Sequence, residues 1–206
     1  MKVKIAVLVS GGGTNLQALL DAQAAGALTS GEIVLVVSNT AGAYALERAK
    51  KAGVPSCTIL KKVLGSQAAF EQALEEKLRE HHIQLVILAG FLNILSGSFT
   101  DKYPDRILNI HPSLIPSFCG EGFYGLRVHE EALRYGVKVT GATVHYVNQI
   151  PDGGKIIAQK AVEILPGDTP EVLQRRVMEQ AEWVLLPQAA EQVCREIINQ
   201  SSEDAK

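Results

Sequence analysis

Two residues near the middle of the chain have side chains suited to acyl chemistry. Asn109 and His111 stand two positions apart at the end of the apolar run 107–110, and Pro112 follows them. Residues two apart in an extended chain point to the same side, and the proline disfavours a helical conformation for His111. An amide and an imidazole can both donate hydrogen bonds to a carbonyl oxygen on which negative charge develops. Taken alone, the pair is equally compatible with a structural histidine.

A third candidate is Asp152, in the turn Pro151-Asp152-Gly153-Gly154. An aspartate in a turn often stabilises only its own backbone. Here two glycines follow it and let the turn approach the sheet edge closely, so that Asp152 can face His111. A carboxylate next to an imidazole favours the charged ring. We therefore expect the pKa of His111 to lie above its ordinary value of about 6.5, which makes the ring a proton donor near neutral pH.

The first apolar strand ends in a glycine-rich loop, from Ser10 through Gly11, Gly12 and Gly13 to Thr14 and Asn15, and a helical pattern follows at once. Glycines let the backbone approach a ligand, and the start of a helix offers free amide donors and partial positive charge. The loop lacks the third glycine of a dinucleotide fingerprint and the Lys-Ser/Thr of a P-loop. It therefore predicts a site for a phosphate monoester. The alternative is a tight turn without a ligand.

The other histidines receive structural interpretations. His81 and His82 stand at the end of a predicted helix, where positive charge is favourable. His129, next to two glutamates, is assigned to a surface helix, and His145 is assigned to a strand, outside the site. No two histidines have the spacing of a zinc protease and there is no Cys-x-x-Cys, so no metal is expected. The three cysteines are far apart and odd in number, which predicts reduced thiols.

Short β-branched runs alternate with helical patterns along the first half of the chain. The runs 4–10, 33–38, 56–60, 85–89 and 107–110 predict buried parallel strands, and 16–25, 44–52 and 67–80 predict amphipathic helices. The later runs 140–147 and 155–164, joined by 148–154, predict an antiparallel hairpin. The predicted fold is a doubly wound, mostly parallel twisted α/β sheet with helices on both faces. Ligands then gather at the carboxyl ends of the strands.

Length and charge limit the classes of protein. A chain of 206 residues, 47% of them hydrophobic, predicts one domain over residues 1–200, with a frayed tail over 201–206. The sequence Asp168-Thr169-Pro170 opens a terminal helix that we expect to be interrupted at Pro187. With a formal charge of -2 and no apolar run long enough for a membrane span, the chain is expected to be cytoplasmic and to bind small molecules, neither nucleic acid nor membrane.

The motifs together resemble one family. The glycine loop, the segment from Asn109-Ile110-His111-Pro112-Ser113 to Pro116, and Asp152-Gly153-Gly154 occur in the order typical of phosphoribosylglycinamide formyltransferases. Supporting stretches at 88–91 and 139–147 extend the resemblance over nearly the whole chain. The resemblance implies a Rossmann-like formyltransferase fold, a monomer or homodimer, and formyl transfer from 10-formyltetrahydrofolate to the amine of 5-phosphoribosylglycinamide, a step of purine biosynthesis.

The resemblance also implies roles for individual residues. Asn109 and His111 polarise the formyl oxygen, while Asp152 keeps the histidine charged and assists proton transfer through water. The substrate is held by Gly13, Thr14, Asn15, Glu179 and Glu182. The folate is held by Gln67, Leu92, Asn93, Ile94, Leu95, Asn109, Asn148, Gln149, Ile150, Pro151 and Asp152. No metal takes part.

Some positions depart from the family pattern, and other functions stay open. Asn93 stands where many relatives have arginine, and Gln67 stands where some have it. The segment 118–125 is longer than usual, and Lys155 replaces a common proline. Alternatives within the family are a formyltetrahydrofolate hydrolase or a formyltransferase acting on another phosphorylated amine. Methionyl-tRNA formyltransferases are not expected, because they have an additional RNA-binding domain. An alternative of another class is a non-catalytic protein that binds a phosphorylated metabolite.

Overall fold

The apolar runs of the sequence form the strands of one seven-stranded sheet. The computed structural model describes residues 2–203, and the strand order is β3-β2-β1-β4-β5-β6-β7. Strands β1 to β5 pair in parallel, while β5-β6 and β6-β7 are antiparallel. The strands are β1 Val3–Val9, β2 Gly31–Ser38, β3 Ser56–Thr58, β4 Leu85–Leu88, β5 Ile107–His111, β6 Val139–Tyr146 and β7 Ile156–Glu163. The predicted mostly parallel sheet with a late antiparallel pair is confirmed.

Helices cover both faces of the sheet, as the near-continuous apolar strands require. They are α1 Thr14–Ala24, α2 Tyr44–Lys51, α3 Lys61–Leu64, α4 Gln67–Glu80, α5 Gly97–Thr100, α6 Leu126–Tyr135, α7 Pro170–Val177 and α8 Trp183–Glu203. Alternate residues of β1 point to opposite faces. Ile5 packs in the core shared with α1 and α8, whereas Leu8 packs in the core shared with α4, where Phe70 is fully buried.

The late helices differ from the prediction. Thr169 caps α7 by accepting a hydrogen bond from the amide of Val172 at 3.3 Å, and Pro170 is the first helical residue, as expected. The expected interruption at Pro187 is wrong. A π-helical turn over residues 178–182 separates α7 from α8 instead, and Pro187 lies inside α8. Pro187 lies only four residues after the start of α8, so its missing amide costs a single hydrogen bond near the helix end.

The last helix extends further toward the C-terminus than the sequence predicted. Helix α8 runs to Glu203, so residues 201–203, assigned to the tail by the sequence, are helical; residues 204–206 lie outside the described residues. Between residues 2 and 203, no helix combines the length and the apolar character that a membrane span needs.

The strand order also determines where a ligand can bind. Strand β1 has β2 on one side and β4 on the other, so the chain leaves β1 and β4 toward opposite neighbours. In such sheets the loops after the two central strands diverge and leave a crevice at their carboxyl ends. The glycine loop follows β1, and β4 and β5 end at the same edge.

Candidate active site

A cavity of about 700 Å³ opens at this edge of the sheet. Side chains from three regions of the sequence meet there, because β1, β4 and β5 end together and the β6–β7 turn folds over them. The lining residues include Thr14 and Asn15, residues 90–95, residues 109–112, residues 120–125, His129, His145, the turn residues Asn148, Ile150, Pro151 and Asp152, and Glu182.

Asn109, His111 and Asp152 lie together in this cavity. The two oxygens of Asp152 face the other two side chains: Oδ2 lies 3.4 Å from His111 Nδ1, and Oδ1 accepts a hydrogen bond from Asn109 Nδ2 at 3.4 Å. His111 is buried at the end of β5, and Asn109 is half-buried. A carboxylate, an imidazole and an amide from distant parts of the sequence therefore converge on one point.

The β6–β7 turn positions Asp152 through its backbone geometry. Asp152 has a φ of 55°, in the left-handed region that aspartate tolerates better than most residues. A side chain at Gly154 would collide with the carbonyl oxygen of Tyr146, and one at Gly153 would come within 2.6 Å of Ile150 Cγ2. Both glycines are therefore required for the close approach of the turn. The amide of Gly120 donates to Asp152 Oδ2 at 2.8 Å and fixes the carboxylate from the other side.

The prediction that the pKa of His111 is raised is wrong. Burial lowers the pKa of His111 below 6.5, and nearby His145 lowers it further, although Asp152 and the carbonyl of Phe118 act in the opposite direction. The desolvation of the ring outweighs its carboxylate partner, a balance that the sequence does not reveal. Burial also opposes ionisation of Asp152, yet its contacts with His145, His111 and the Gly120 amide keep its pKa below the ordinary value.

Both ring nitrogens of His111 face hydrogen-bond acceptors. Nε2 lies 2.9 Å from the carbonyl oxygen of Phe118, and Nδ1 faces the carboxylate of Asp152. A backbone carbonyl can only accept, so Nε2 has the proton in this contact. Phe118 itself has a φ of 49°, which is unusual for an aromatic residue and costs about 1 to 3 kcal/mol. A substrate oxygen can replace the Phe118 carbonyl as the acceptor for Nε2.

His145 belongs to the site, although the sequence placed it outside. It pairs with Asn109 across the antiparallel β5-β6 ladder, which brings its Nε2 to 3.2 Å from Asn109 Nδ2 and 3.4 Å from Asp152 Oδ1. Its Nδ1 lies 2.8 Å from the carbonyl of Tyr146. Since that carbonyl can only accept, Nδ1 has the proton in this contact, and Nε2 faces both Asn109 and Asp152. The sequence shows which residues of β6 alternate between the two faces, but it does not show the register of β6 against β5.

His129 was assigned to a surface helix, and that assignment is wrong. The ring is fully buried on α6, lines the cavity, and has no hydrogen-bond partner for either nitrogen among the described residues. Burial, with a smaller contribution from nearby His111, lowers the pKa of His129 to about 4. The buried stripe of α6 consists of Val128, His129 and Ala132. That stripe was visible in the helical spacing, but the two neighbouring glutamates suggested an exposed face.

The glycine loop leaves the first turn of α1 open to a ligand. Gly13 precedes the helix with a φ of 70°, and no side chain caps it within the described residues. A side chain at Gly13 would lie 2.6 Å from Ala45 Cβ, so the loop packs tightly on α2, whereas the space beside Gly11 and Gly12 is empty. Arg48 Nε donates to the carbonyl of Gly12 at 2.8 Å. The loop is thus held from behind, and the first two residues of α1, Thr14 and Asn15, line one end of the cavity.

Glu182 reaches the same end of the cavity, but Glu179 does not. Asn15 Nδ2 donates to Glu182 Oε2 at 2.6 Å, while Asn15 Oδ1 has no partner among the described residues. Burial raises the pKa of Glu182 to about 7, against the hydrogen bond from Asn15. Glu179, one turn earlier, is exposed and pairs with Arg175 Nε at 2.8 Å. The structure therefore brings Glu182, and not Glu179, to the cavity.

The opposite end of the cavity is bounded by residues 91–96, which we name the wall segment, and by the β6–β7 turn. Leu92, Asn93, Ile94 and Leu95 of the wall segment line the cavity, as do Asn148, Ile150 and Pro151. Two predicted folate contacts do not line it. Gln67 lies behind the wall segment and donates to the carbonyl of Ile94 at 3.1 Å, and Gln149 is exposed beside Gly97.

Within residues 2–203 the structure has neither a metal-binding cluster nor a disulfide. No group of three or more His, Cys, Asp or Glu side chains within this range could hold a metal ion. Cys57 and Cys119 are half-buried and Cys194 is buried, each as a free thiol. Burial raises the pKa of Cys194 to about 12, so this thiol stays protonated near neutral pH.

Comparison with known proteins identifies the family. Residues 3–189 match the family model described as formyl transferase. The chain belongs to the formyl transferase family. The phosphoribosylglycinamide formyltransferase of Haemophilus influenzae is 40% identical over 184 residues, which are 89% of this chain and 84% of that protein. The crystal structure of glycinamide ribonucleotide transformylase 1 from Symbiobacterium toebii matches with a TM-score of 0.88 and 42% identity, over 95% of this chain and 89% of that one.

Longer relatives contain a similar region. The trifunctional purine biosynthetic protein adenosine-3 of Gallus gallus is 47% identical over 192 residues, which are 93% of this chain but only 18% of that protein. The chain therefore spans about a fifth of the length of that trifunctional relative. The predicted membership in the formyltransferase family and the predicted fold are both confirmed.

Proposed function

We propose that this formyl transferase moves the formyl group of 10-formyltetrahydrofolate to the amine of 5-phosphoribosylglycinamide, giving N-formylglycinamide ribonucleotide and tetrahydrofolate. The observation that supports this most is the convergence of Asn109, His111 and Asp152 in one cavity between the start of α1 and the wall segment. The relatives named as phosphoribosylglycinamide formyltransferases support the same substrates.

The two ends of the cavity suit the two substrates. The open first turn of α1, at Thr14 and Asn15, offers amide donors to the phosphate of the ribonucleotide. Glu182 and the unpartnered Asn15 Oδ1 offer acceptors to ribose hydroxyl groups at the same end. At the other end, the apolar side chains of Leu92 and Ile94 are mostly exposed, and a flat pteridine ring would cover them.

The three central residues then act on the formyl group between the two ends. The amine attacks the formyl carbon, a carbon–nitrogen bond forms, and the carbonyl becomes a tetrahedral oxyanion. Asn109 and His111 donate hydrogen bonds to that oxygen, and His111 Nε2 exchanges the Phe118 carbonyl for it. The attacking nitrogen loses a proton, N10 of the folate gains one, and the bond between carbon and N10 breaks.

The low pKa of His111 is compatible with this role. Burial keeps the pKa of His111 below 6.5, so the ring is mostly neutral at pH 7. Negative charge that develops on the formyl oxygen favours the protonated ring, and Asp152 adds to this effect at 3.4 Å. His111 thus binds its proton most tightly in the transition state, where it assists the reaction, rather than in the ligand-free protein.

A turnover assay with the purified protein tests the proposal. Incubation with 10-formyltetrahydrofolate and 5-phosphoribosylglycinamide should give tetrahydrofolate and the formylated amine in equal amounts. A reaction without the amine measures hydrolysis. Reactions with other phosphorylated amines test whether the enzyme formylates a different amine. Folate release that does not depend on an amine would support the hydrolase. Ligand binding without turnover, unchanged by His111→Ala, would support a non-catalytic binding protein. The cytoplasmic location, and the monomeric or homodimeric state, remain predictions.

A further inference from the structure

The wall segment is held in place by side chains rather than by backbone pairing. Within the described residues, no hydrogen bond joins the backbone of residues 90–95 to other backbone groups, and the carbonyl of Ser96 accepts from the amides of Phe99 and Thr100 in the turn that follows. Leu92 and Ile94 are 61% and 60% exposed, whereas Leu95 is buried in the core shared with α4, so burial holds the end of the segment but not its middle. The position of residues 92–94 therefore depends on the side chains behind them.

Three side chains anchor the wall segment at regular intervals. Ser10 at the end of β1 accepts a hydrogen bond from the amide of Leu92 at 2.8 Å. Gln67 donates to the carbonyl of Ile94 at 3.1 Å. Glu71 accepts from both the amide and the hydroxyl of Ser96, each at 2.6 Å.

Glu71 is the centre of this arrangement. Glu71 as a whole is only 7% exposed, and besides Ser96 its carboxylate accepts a hydrogen bond from Gln67 Nε2 at 2.6 Å. It therefore holds Ser96 directly and holds Ile94 through Gln67. Hydrogen bonds to a carboxylate are short and strong, and the loss of a buried acceptor leaves its donors unsatisfied. The neighbouring helix residue, Phe70, stacks on Phe91 at 6.4 Å between ring centroids and orients the start of the segment.

From this geometry we propose that Glu71 is a positioning residue that fixes the wall segment and thereby determines the affinity for the folate. The inference rests on the proposed function, because it assigns the wall segment to the folate. Glu71 touches neither Asn109, His111 and Asp152 nor the glycine loop. Its removal should therefore weaken folate binding selectively and leave binding of the phosphorylated amine unchanged.

The test compares Glu71→Gln with Glu76→Gln. Both changes replace a carboxylate of α4 by an amide of the same size, but Glu76 is exposed and accepts only from Gln72 on its own helix, at 3.1 Å. In Glu71→Gln, the NH₂ group of the new side chain faces a hydrogen-bond donor of Ser96 or Gln67 and cannot accept from it. We expect the Kd for 5-formyltetrahydrofolate, measured by calorimetry, and the KM for 10-formyltetrahydrofolate to rise about 10- to 100-fold. The KM for 5-phosphoribosylglycinamide should stay within about twofold, and Glu76→Gln should match the wild type.

Two results would overturn the inference. One is an unchanged folate Kd in Glu71→Gln, and the other is a parallel rise of both KM values, which indicates a general loss of structure. Amide hydrogen exchange of the ligand-free proteins adds a readout that does not depend on activity: residues 92–96 should exchange faster in Glu71→Gln only. If the wild type transfers no formyl group, the proposed function fails, whereas the exchange comparison still decides whether Glu71 holds the wall segment.

Discussion

Replacement of Asp152 by asparagine is the most direct test of the proposed catalytic arrangement. The change keeps the shape of the side chain and removes the charge that lies 3.4 Å from His111 Nδ1. At an effective dielectric constant of about 20, two unit charges at that distance interact by about 5 kcal/mol. The asparagine dipole retains part of this interaction, so we expect the barrier to rise by about 3 to 5 kcal/mol, which lowers kcat about 100- to 5,000-fold.

Steady-state kinetics measures this effect, and the two KM values separate it from binding. We expect both to stay within about threefold of the wild type, because Asp152 acts mainly in the transition state. The exposed Asp101, replaced in the same way, serves as the control and should leave kcat unchanged. In Asp152→Asn the contact that raises the pKa of His111 is lost, so that pKa should fall further below 6.5, as NMR titration of labelled histidine would show.

The outcome that refutes this reasoning is specific. A variant that retains more than about a third of kcat shows that the charge of Asp152 does not act on the transition state. A variant with normal kcat and a greatly raised KM for the folate assigns Asp152 to binding instead. Either result would remove the charge from the proposed mechanism while leaving the fold and the family unaffected.

Three further predictions concern stability and the β6–β7 turn. The pKa of His129 is about 4 in the folded protein, so the unfolded chain binds more protons below pH 6.5 and the protein becomes less stable as the pH falls. Between pH 7 and 5 the wild type should lose about 2 kcal/mol of unfolding free energy relative to His129→Asn, as urea denaturation would measure. The pKa of Glu182 is raised to about 7, so its protonated carboxyl stabilises the fold fully below about pH 4.5, and this stabilisation is lost as the pH rises through 7. The wild type should therefore lose about 2 kcal/mol of unfolding free energy between pH 5 and 8 relative to Glu182→Gln. Equal dependence of the two unfolding free energies on pH would contradict a buried carboxyl. Gly154→Ala should cost about 1 to 3 kcal/mol and lower kcat, because the new methyl group collides with the Tyr146 carbonyl and shifts the turn; a fully active variant with the wild-type Tm would show that the close approach is unnecessary.

Much of the fold could be predicted because its signals are local. Hydrophobic runs, the glycine loop and the cap at Thr169 depend on neighbours within one turn or one strand, and each lies where the pattern indicated. The candidate site was predictable in part for the same reason. Asn109 and His111 share one short strand, and the glycines after Asp152 mark a turn that can approach a sheet edge closely.

The sequence by itself therefore determined the type of sheet, the family, and the residues with the most suitable chemistry. Tertiary structure decided what depends on distance and solvent. The register of β6 against β5 brought His145 to Asn109, and the buried face of α6 turned His129 into the cavity. Burial also reversed the expected pKa shift of His111, since the desolvation of a ring depends on every atom packed around it, and those atoms come from segments far apart in the chain.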